Sequence, residues 1–156
     1  MFNTTIATQI YAKICFEATN SQKKIIENLS EYLSDDDFSR IFVLNGFAGT
    51  GKTTLIAALV AALKELRIKP VLLAPTGRAA KVLARYCGEQ ALTIHKRIYR
   101  QRTNADYESK FSLDFNREQG AVFIVDEASM LSDSTGDGAL FGSGSLLEDL
   151  VSYVRS

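Results

Sequence analysis

Several kinds of residue and pattern are scarce or missing in this chain, and each absence excludes something. There are two cysteines in 156 residues, Cys15 and Cys87, and they form no CxxC pair. That excludes a disulfide-stapled scaffold and points to two reduced thiols in a cytoplasmic setting. His95 is the sole histidine, so no second imidazole can join it on a zinc ion; alone, such a residue is more often a structural hydrogen-bonding group. No apolar run reaches the length of a membrane span. The first twenty residues lack a basic segment followed by an apolar core, so neither a signal peptide nor a membrane partner is expected. The chain has no internal repeat, no nuclease-like cluster of carboxylates, and no N-K-x-D sequence of the kind that reads guanine.

Net charge is also missing, since 18 basic groups balance 18 acidic ones. The balance is not local. Residues 78–102 carry seven basic groups (Arg78, Lys81, Arg85, Lys96, Arg97, Arg100 and Arg102) against one acid, Glu89, a local net of +6. Residues 103–156 carry three basic groups and ten acids. A basic block of this kind either meets a polyanion or is a solvated helix face, and charge alone leaves both open.

What is present centres on Ile41–Leu63. The apolar run Ile41, Phe42, Val43, Leu44 reads as a buried strand, and it breaks into Gly46-Phe47-Ala48-Gly49-Thr50-Gly51-Lys52-Thr53 before a long apolar helix. This is G-x-x-x-x-G-K-[ST], the P-loop, set between a strand and a helix as phosphate binding requires. Glycines let backbone N–H groups close on a phosphate chain, and the helix aims its positive end at the anion. Gly46, Ala48, Gly49, Thr50, Gly51, Lys52, Thr53 and Thr54 are the expected phosphate-binding positions. Lys52 is expected to reach the β- and γ-phosphates, and the Thr53 hydroxyl to ligate Mg²⁺.

Around this stretch the chain alternates between elements. Residues 4–14 read as a short helix. Thr19, Asn20 or Ser21 can cap a second helix, on which Ile25, Ile26, Leu29 and Leu33 share one face. Gln22 lies in its first turn, where an amide side chain can read an adenine edge or simply be solvated. Pro70–Ala74 reads as a second buried strand, and Arg78–Arg85 resumes helical spacing. Ala91–Ile98 fits a short strand or a short helix. Residues 100–119 read as an inserted hairpin or loop, Gly120–Val125 as a third buried strand, 132–145 as a flexible Gly/Ser/Asp-rich loop, and the rest as an amphipathic helix. Strand, helix and strand in quick succession predict βαβ units, a parallel sheet and an α/β P-loop fold.

Asp126-Glu127 ends the third strand. In a parallel sheet that end lies on the ligand-collecting edge. An aspartate there can share the Mg²⁺ with Thr53, and the neighbouring glutamate can orient and deprotonate a water. Lys52, Asp126 and Glu127 are thus the candidate catalytic set, with Thr53 and Asp126 as metal ligands. The absence of a guanine-reading sequence favours ATP.

Together, GFAGTGKT, LLAPTGRAAKVLA, TIHKRIY and VFIVDEASM resemble, in order and spacing, the successive N-terminal motifs of superfamily 1 DNA helicases of the RecD-like branch (similar to the exodeoxyribonuclease V alpha subunit). The resemblance runs from about Asn20 to Met130. It implies a RecA-like ATPase domain that uses ATP and Mg²⁺ to move along single-stranded DNA, typically 5′ to 3′, in recombination or repair. By that resemblance Gln22 recognises adenine on a helix spanning 20–38, residues 41–131 form the P-loop core, and Pro75, Thr76, Gly77, Arg78, Thr93, Ile94, His95 and Lys96 lie against DNA. Nothing after Met130 resembles the family's γ-phosphate-sensing glutamine or its later arginine. The expectation is therefore an N-terminal piece of a longer helicase, lacking the second RecA-like domain and acting with further repair subunits, which alone binds ATP weakly, hydrolyses it slowly and does not unwind DNA. The competing expectations are a nucleotide-gated DNA- or protein-binding module without productive hydrolysis, and a P-loop ATPase that acts on no nucleic acid.

Overall fold

The computed structural model describes residues 2–37, 39–47, 49–103, 109–131 and 141–156. They fall into two compact units, residues 1–70 and 71–156.

The first unit holds three helices: α1 (Phe2–Lys13), α2 (Asn20–Ser34) and α3 (Lys52–Glu65). α1 packs on both of the others. Ile6 and Ile10, one helical turn apart, are fully buried on it, and an ion pair at 2.9 Å ties Lys13 to Glu65 at the end of α3. α2 buries Ile26, Leu29 and Ser30; the Ser30 hydroxyl donates to the Ile26 carbonyl at 2.8 Å, so its burial leaves no orphan. α3 is apolar almost all round, with Leu55, Ile56, Ala58, Leu59, Val60, Ala62 and Leu63 buried.

The strand expected at Ile41–Leu44 does not form. These residues belong to no strand, and Ile41 and Val43 are 62% and 80% exposed. Phe42 and Leu44 are half-buried, so the run is extended with alternating sides. Phe42 packs on Tyr32, with ring centroids 5.5 Å apart. The physical reason is that an apolar run becomes a strand only when neighbouring strands take up its N–H and C=O groups. Among the described residues no strand pairs with this one.

The second unit is built on a three-stranded parallel sheet of order β2-β1-β5, from β1 (Pro70–Ala74), β2 (Ala91–Thr93) and β5 (Val122–Val125). β1 and β2 run in register with Leu73 opposite Leu92 and Ala74 opposite Thr93. β1 is buried from Val71 to Ala74, whereas β5, expected to be buried, is half-buried throughout. The crossover helix α4 (Gly77–Cys87) buries Ala79, Ala80 and Leu83, and it stops at Gly88 in the left-handed conformation (φ 64°). Residues 91–98 resolve into both expected alternatives: β2, then α5 (Ile94–Ile98). Largely within the stretch that read as a hairpin or loop, β3 (Tyr99–Thr103) and β4 (Ser109–Leu113) pair antiparallel as a separate two-stranded sheet. α6 (Leu146–Arg155) closes the unit.

The core here gathers Val71, Leu73, Ile94, Ile98, Tyr99, Leu150 and Tyr153. One charged group lies within it. Asp149 is 5% exposed and accepts hydrogen bonds from the Tyr99 hydroxyl at 2.6 Å and the Ser143 N–H at 3.0 Å. Of the loop expected at 132–145, residues 132–140 lie outside the described residues. Phe141 stacks on Phe111 at 4.7 Å, and the Gly142 N–H donates to the Phe111 carbonyl at 3.0 Å. Among the described residues no helix is long and apolar enough to cross a membrane.

Candidate nucleotide site

The first unit contains a cavity of about 300 Å³ whose lining includes Gln22, Asn45, Gly46, Thr50, Gly51 and Lys52. The loop reaches it through two glycines with positive φ, Gly49 at 79° and Gly51 at 83°. Gly51 is also the residue before α3. α2, α4, α5 and α6 are each capped by a hydroxyl, from Thr19, Thr76, Thr93 and Ser145 respectively. α3 alone among these begins at a residue with no side chain to offer. Its first-turn N–H groups are therefore left for an anion, with the positive end of the helix dipole behind them.

Lys52 is folded back over the loop. Its ammonium donates to the carbonyl oxygens of Gly46 and Phe47, the latter at 2.7 Å, and the Thr50 hydroxyl donates to the same Phe47 carbonyl at 2.7 Å. The cation thus sits at the loop mouth, and an arriving phosphate oxygen competes for it against neutral carbonyls. A charged acceptor wins that competition, because a full negative charge attracts the ammonium more strongly than the dipole of a neutral carbonyl does. Thr53 and Thr54 follow in the first turn, half-buried and exposed respectively. Ala48 lies outside the described residues.

Gln22 has a role that the sequence reading missed. Its N–H donates to Thr19 Oγ1 at 3.3 Å while its Oε1 accepts the Thr19 N–H at 2.9 Å, a complete capping box. Its Nε2 faces the P-loop, since a Cβ placed on Gly51 would lie 3.0 Å from it. The amide oxygen is thus occupied by the cap, and the amide nitrogen is the atom turned towards the loop. The signal was present as Thr19-x-x-Gln22. The expected 20–38 helix ends at Ser34, and Phe38 lies outside the described residues.

The remaining candidates belong to the second unit. The Asp126 N–H donates to the Leu73 carbonyl at 3.0 Å, which fixes it at the end of β5, and its Oδ1 accepts the Glu127 N–H at 2.9 Å. Glu127 is exposed, in the left-handed conformation (φ 53°), and precedes a short 3₁₀ turn at Ala128–Met130. A non-glycine residue held there carries strain of about 1–3 kcal/mol, the kind that collects at working sites. Pro75, Thr76 and Gly77 lead into α4, where the Thr76 hydroxyl accepts the Ala79 N–H at 3.2 Å. The Thr93 hydroxyl does the same for Lys96 at 3.2 Å. Because Ala74 pairs with Thr93, both helix starts leave the same sheet edge side by side. Arg78 and Lys96 are exposed. His95 is half-buried with its ring against Tyr99 and Phe141, at centroid distances of 5.6 and 5.0 Å. Among the described residues no group of three His, Cys, Asp or Glu side chains is placed to hold a metal. Mg²⁺ typically needs no such cage, because one or two protein oxygens plus phosphates and waters complete its shell.

Residues 17–140 match the family described as AAA domain. Over 114 residues the chain is 29% identical to the ATP-dependent RecD2 DNA helicase of Deinococcus radiodurans. The aligned stretch covers 73% of this chain and 15% of that protein, so the chain spans a small part of its relative.

Proposed function

The chain belongs to the AAA domain family, and from that premise we propose that it is the ATP-binding motor domain of an ATP-dependent DNA helicase that acts on single-stranded DNA, 5′ to 3′, in recombination or repair. The observation that supports this most is the start of α3: a left-handed glycine, no side-chain cap and a lysine held at the loop mouth. Such a terminus is built for a phosphate chain.

In this account the α3 N–H groups and Lys52 bind the β- and γ-phosphates, and Gln22 Nε2 donates to the adenine edge. The Thr53 hydroxyl and the Asp126 carboxylate are the oxygens this chain offers to Mg²⁺, which when bound neutralises charge developing on the phosphates. Glu127 orients a water towards the γ-phosphorus and takes its proton. The hydroxyl-capped helix starts at Thr76 and Thr93, with Arg78, His95 and Lys96, touch the DNA backbone. Contacts of that type hold a strand without reading its sequence.

Most of the Deinococcus relative lies outside the aligned stretch. A second RecA-like domain supplies the arginine that stabilises the transition state, a contribution of about 10³–10⁵ in rate in related phosphoryl transfer. The chain alone accordingly binds nucleotide, turns it over slowly and does not unwind DNA. Titration with a fluorescent ATP analogue and Mg²⁺, then with single-stranded DNA, tests this. Binding of both by the wild type, and loss of nucleotide binding in Lys52→Ala, is the expected result. Absence of nucleotide binding by the wild type would overturn it.

A further inference from the structure

Helix α4 presents two faces of opposite character. Ala79, Ala80 and Leu83 are buried. Arg78, Lys81, Val82, Arg85 and Tyr86 recur at i, i+3, i+4, i+7 and i+8, and all five are exposed. Residues 77–87 include no acid. Among the described residues none of the three cations enters an ion pair. Between these cations Val82 is 48% and Tyr86 61% exposed. A face kept merely for solvation has no use for two large apolar side chains there. An aromatic ring flanked by unpaired cations is instead the composition of a stacking platform for nucleic-acid bases.

We propose that the outer face of α4 is a track for single-stranded nucleic acid, on which a base stacks on Tyr86 while Lys81 and Arg85 hold the flanking phosphates. The occupant follows from charge complementarity and from continuity. Arg78 is both the first member of this face and the last residue of the Pro75–Arg78 segment assigned above to the strand. From Arg78 to Tyr86 the helix carries the path about 12 Å further. The proposal rests on the reading of single-stranded DNA as the polymer the motor acts on, and it extends the contact from a loop to a whole helix face.

Fluorescence anisotropy of labelled oligothymidylate on the full chain tests it, with far-UV circular dichroism as the check on folding. Tyr86→Ala is expected to weaken binding about tenfold, whereas Tyr86→Phe, which keeps the ring, binds as the wild type does. An oligonucleotide made of abasic units should erase the difference between wild type and Tyr86→Ala, which a purely structural role for Tyr86 would leave in place. Lys81→Ala with Arg85→Ala should flatten the dependence of log affinity on log salt by about 0.7 per charge removed. Wild-type binding that is untouched by these changes would overturn the track while leaving DNA as the substrate. No DNA binding by a wild-type chain that still binds the ATP analogue would remove both. Displacement of the oligonucleotide by polyglutamate, with no preference for bases over abasic units, would reassign the face to an acidic protein and overturn the proposal.

Discussion

The Gln22 amide holds Thr19 through its oxygen at 2.9 Å and turns its nitrogen towards the open side of Gly51. One side chain therefore finishes the start of α2 and borders the P-loop. The two duties are separable by substitution. Gln22→Ala should destabilise the first unit by about 1 kcal/mol through loss of the cap. Gln22→Glu keeps an acceptor suited to the same box and removes the amide donor. Thermal melts should place Gln22→Glu near the wild type, while titration with the ATP analogue shows weakened binding. Unaltered ATP binding in Gln22→Glu would sink the adenine role.

Gly51 and Gly88 make a matched pair. Both have positive φ, 83° and 64°, but a Cβ at Gly88 meets nothing within 4 Å, whereas one at Gly51 meets Gln22. Alanine at either position should cost about 1–2 kcal/mol for the left-handed backbone. Gly51→Ala should also abolish nucleotide binding, and Gly88→Ala should leave it intact. Urea melts beside nucleotide titrations read both effects.

Glu127 is held at φ 53° without being glycine. Glu127→Gly should relieve the strain and raise the stability of the second unit by about 1 kcal/mol. In a chain that includes the second motor domain it should abolish hydrolysis. Glu127→Gln keeps the strain, retains ATP binding and also loses turnover. Equal stability of the wild type and Glu127→Gly would show that the backbone here is not strained.

Tyr99 and Asp149 give a prediction in pH. Burial first, then the hydrogen bond to Asp149 and its charge, push the Tyr99 phenol well above its ordinary value. A group whose pKa is raised on folding stabilises fully below its unfolded pKa, about 10 for tyrosine. That stability is lost as pH climbs from there towards the folded value. Absorbance titration at alkaline pH should show one of the six tyrosines ionising only with unfolding. Tyr99→Phe should remove that step and cost about 1–3 kcal/mol, since Asp149 stays buried with one partner fewer.

Gly142 lies against the same pair. A Cβ there would be 2.1 Å from Asp149 Oδ2 and 2.7 Å from Tyr99 Cε1. Gly142→Ala should therefore destabilise the second unit more than Tyr99→Phe does, as read by denaturant midpoint. A smaller loss would mean that the 141–145 segment moves aside freely.

What the sequence disclosed, and what it hid, follows the range of the interactions. Thr19-x-x-Gln22, the glycines of the P-loop and the hydroxyls before α4 and α5 act within four residues, so their spacing is their structure. Pro70–Val125 read as a parallel βαβ arrangement because alternation of apolar strands and helices is itself the topology. Ile41–Leu44 misled because apolarity was local while its strand partners would be distant. The burial of Asp149 has no local signal, since its partner Tyr99 stands fifty positions earlier and no nearby pattern announces that meeting. The left-handed turn at Glu127 carries no glycine or asparagine to betray it.

A helix that lacks its own first-turn acceptor is completed by whatever anion the surrounding solution provides. The folding equilibrium of the first unit thereby becomes a function of nucleotide concentration: at one hundred times the dissociation constant, a bound ligand adds about 2.7 kcal/mol. The thermal resistance of this chain in a nucleotide-free buffer is consequently a lower bound on its resistance where nucleotide abounds. A plain melting curve, repeated across a panel of phosphorylated compounds, would rank its ligands without any assay of turnover.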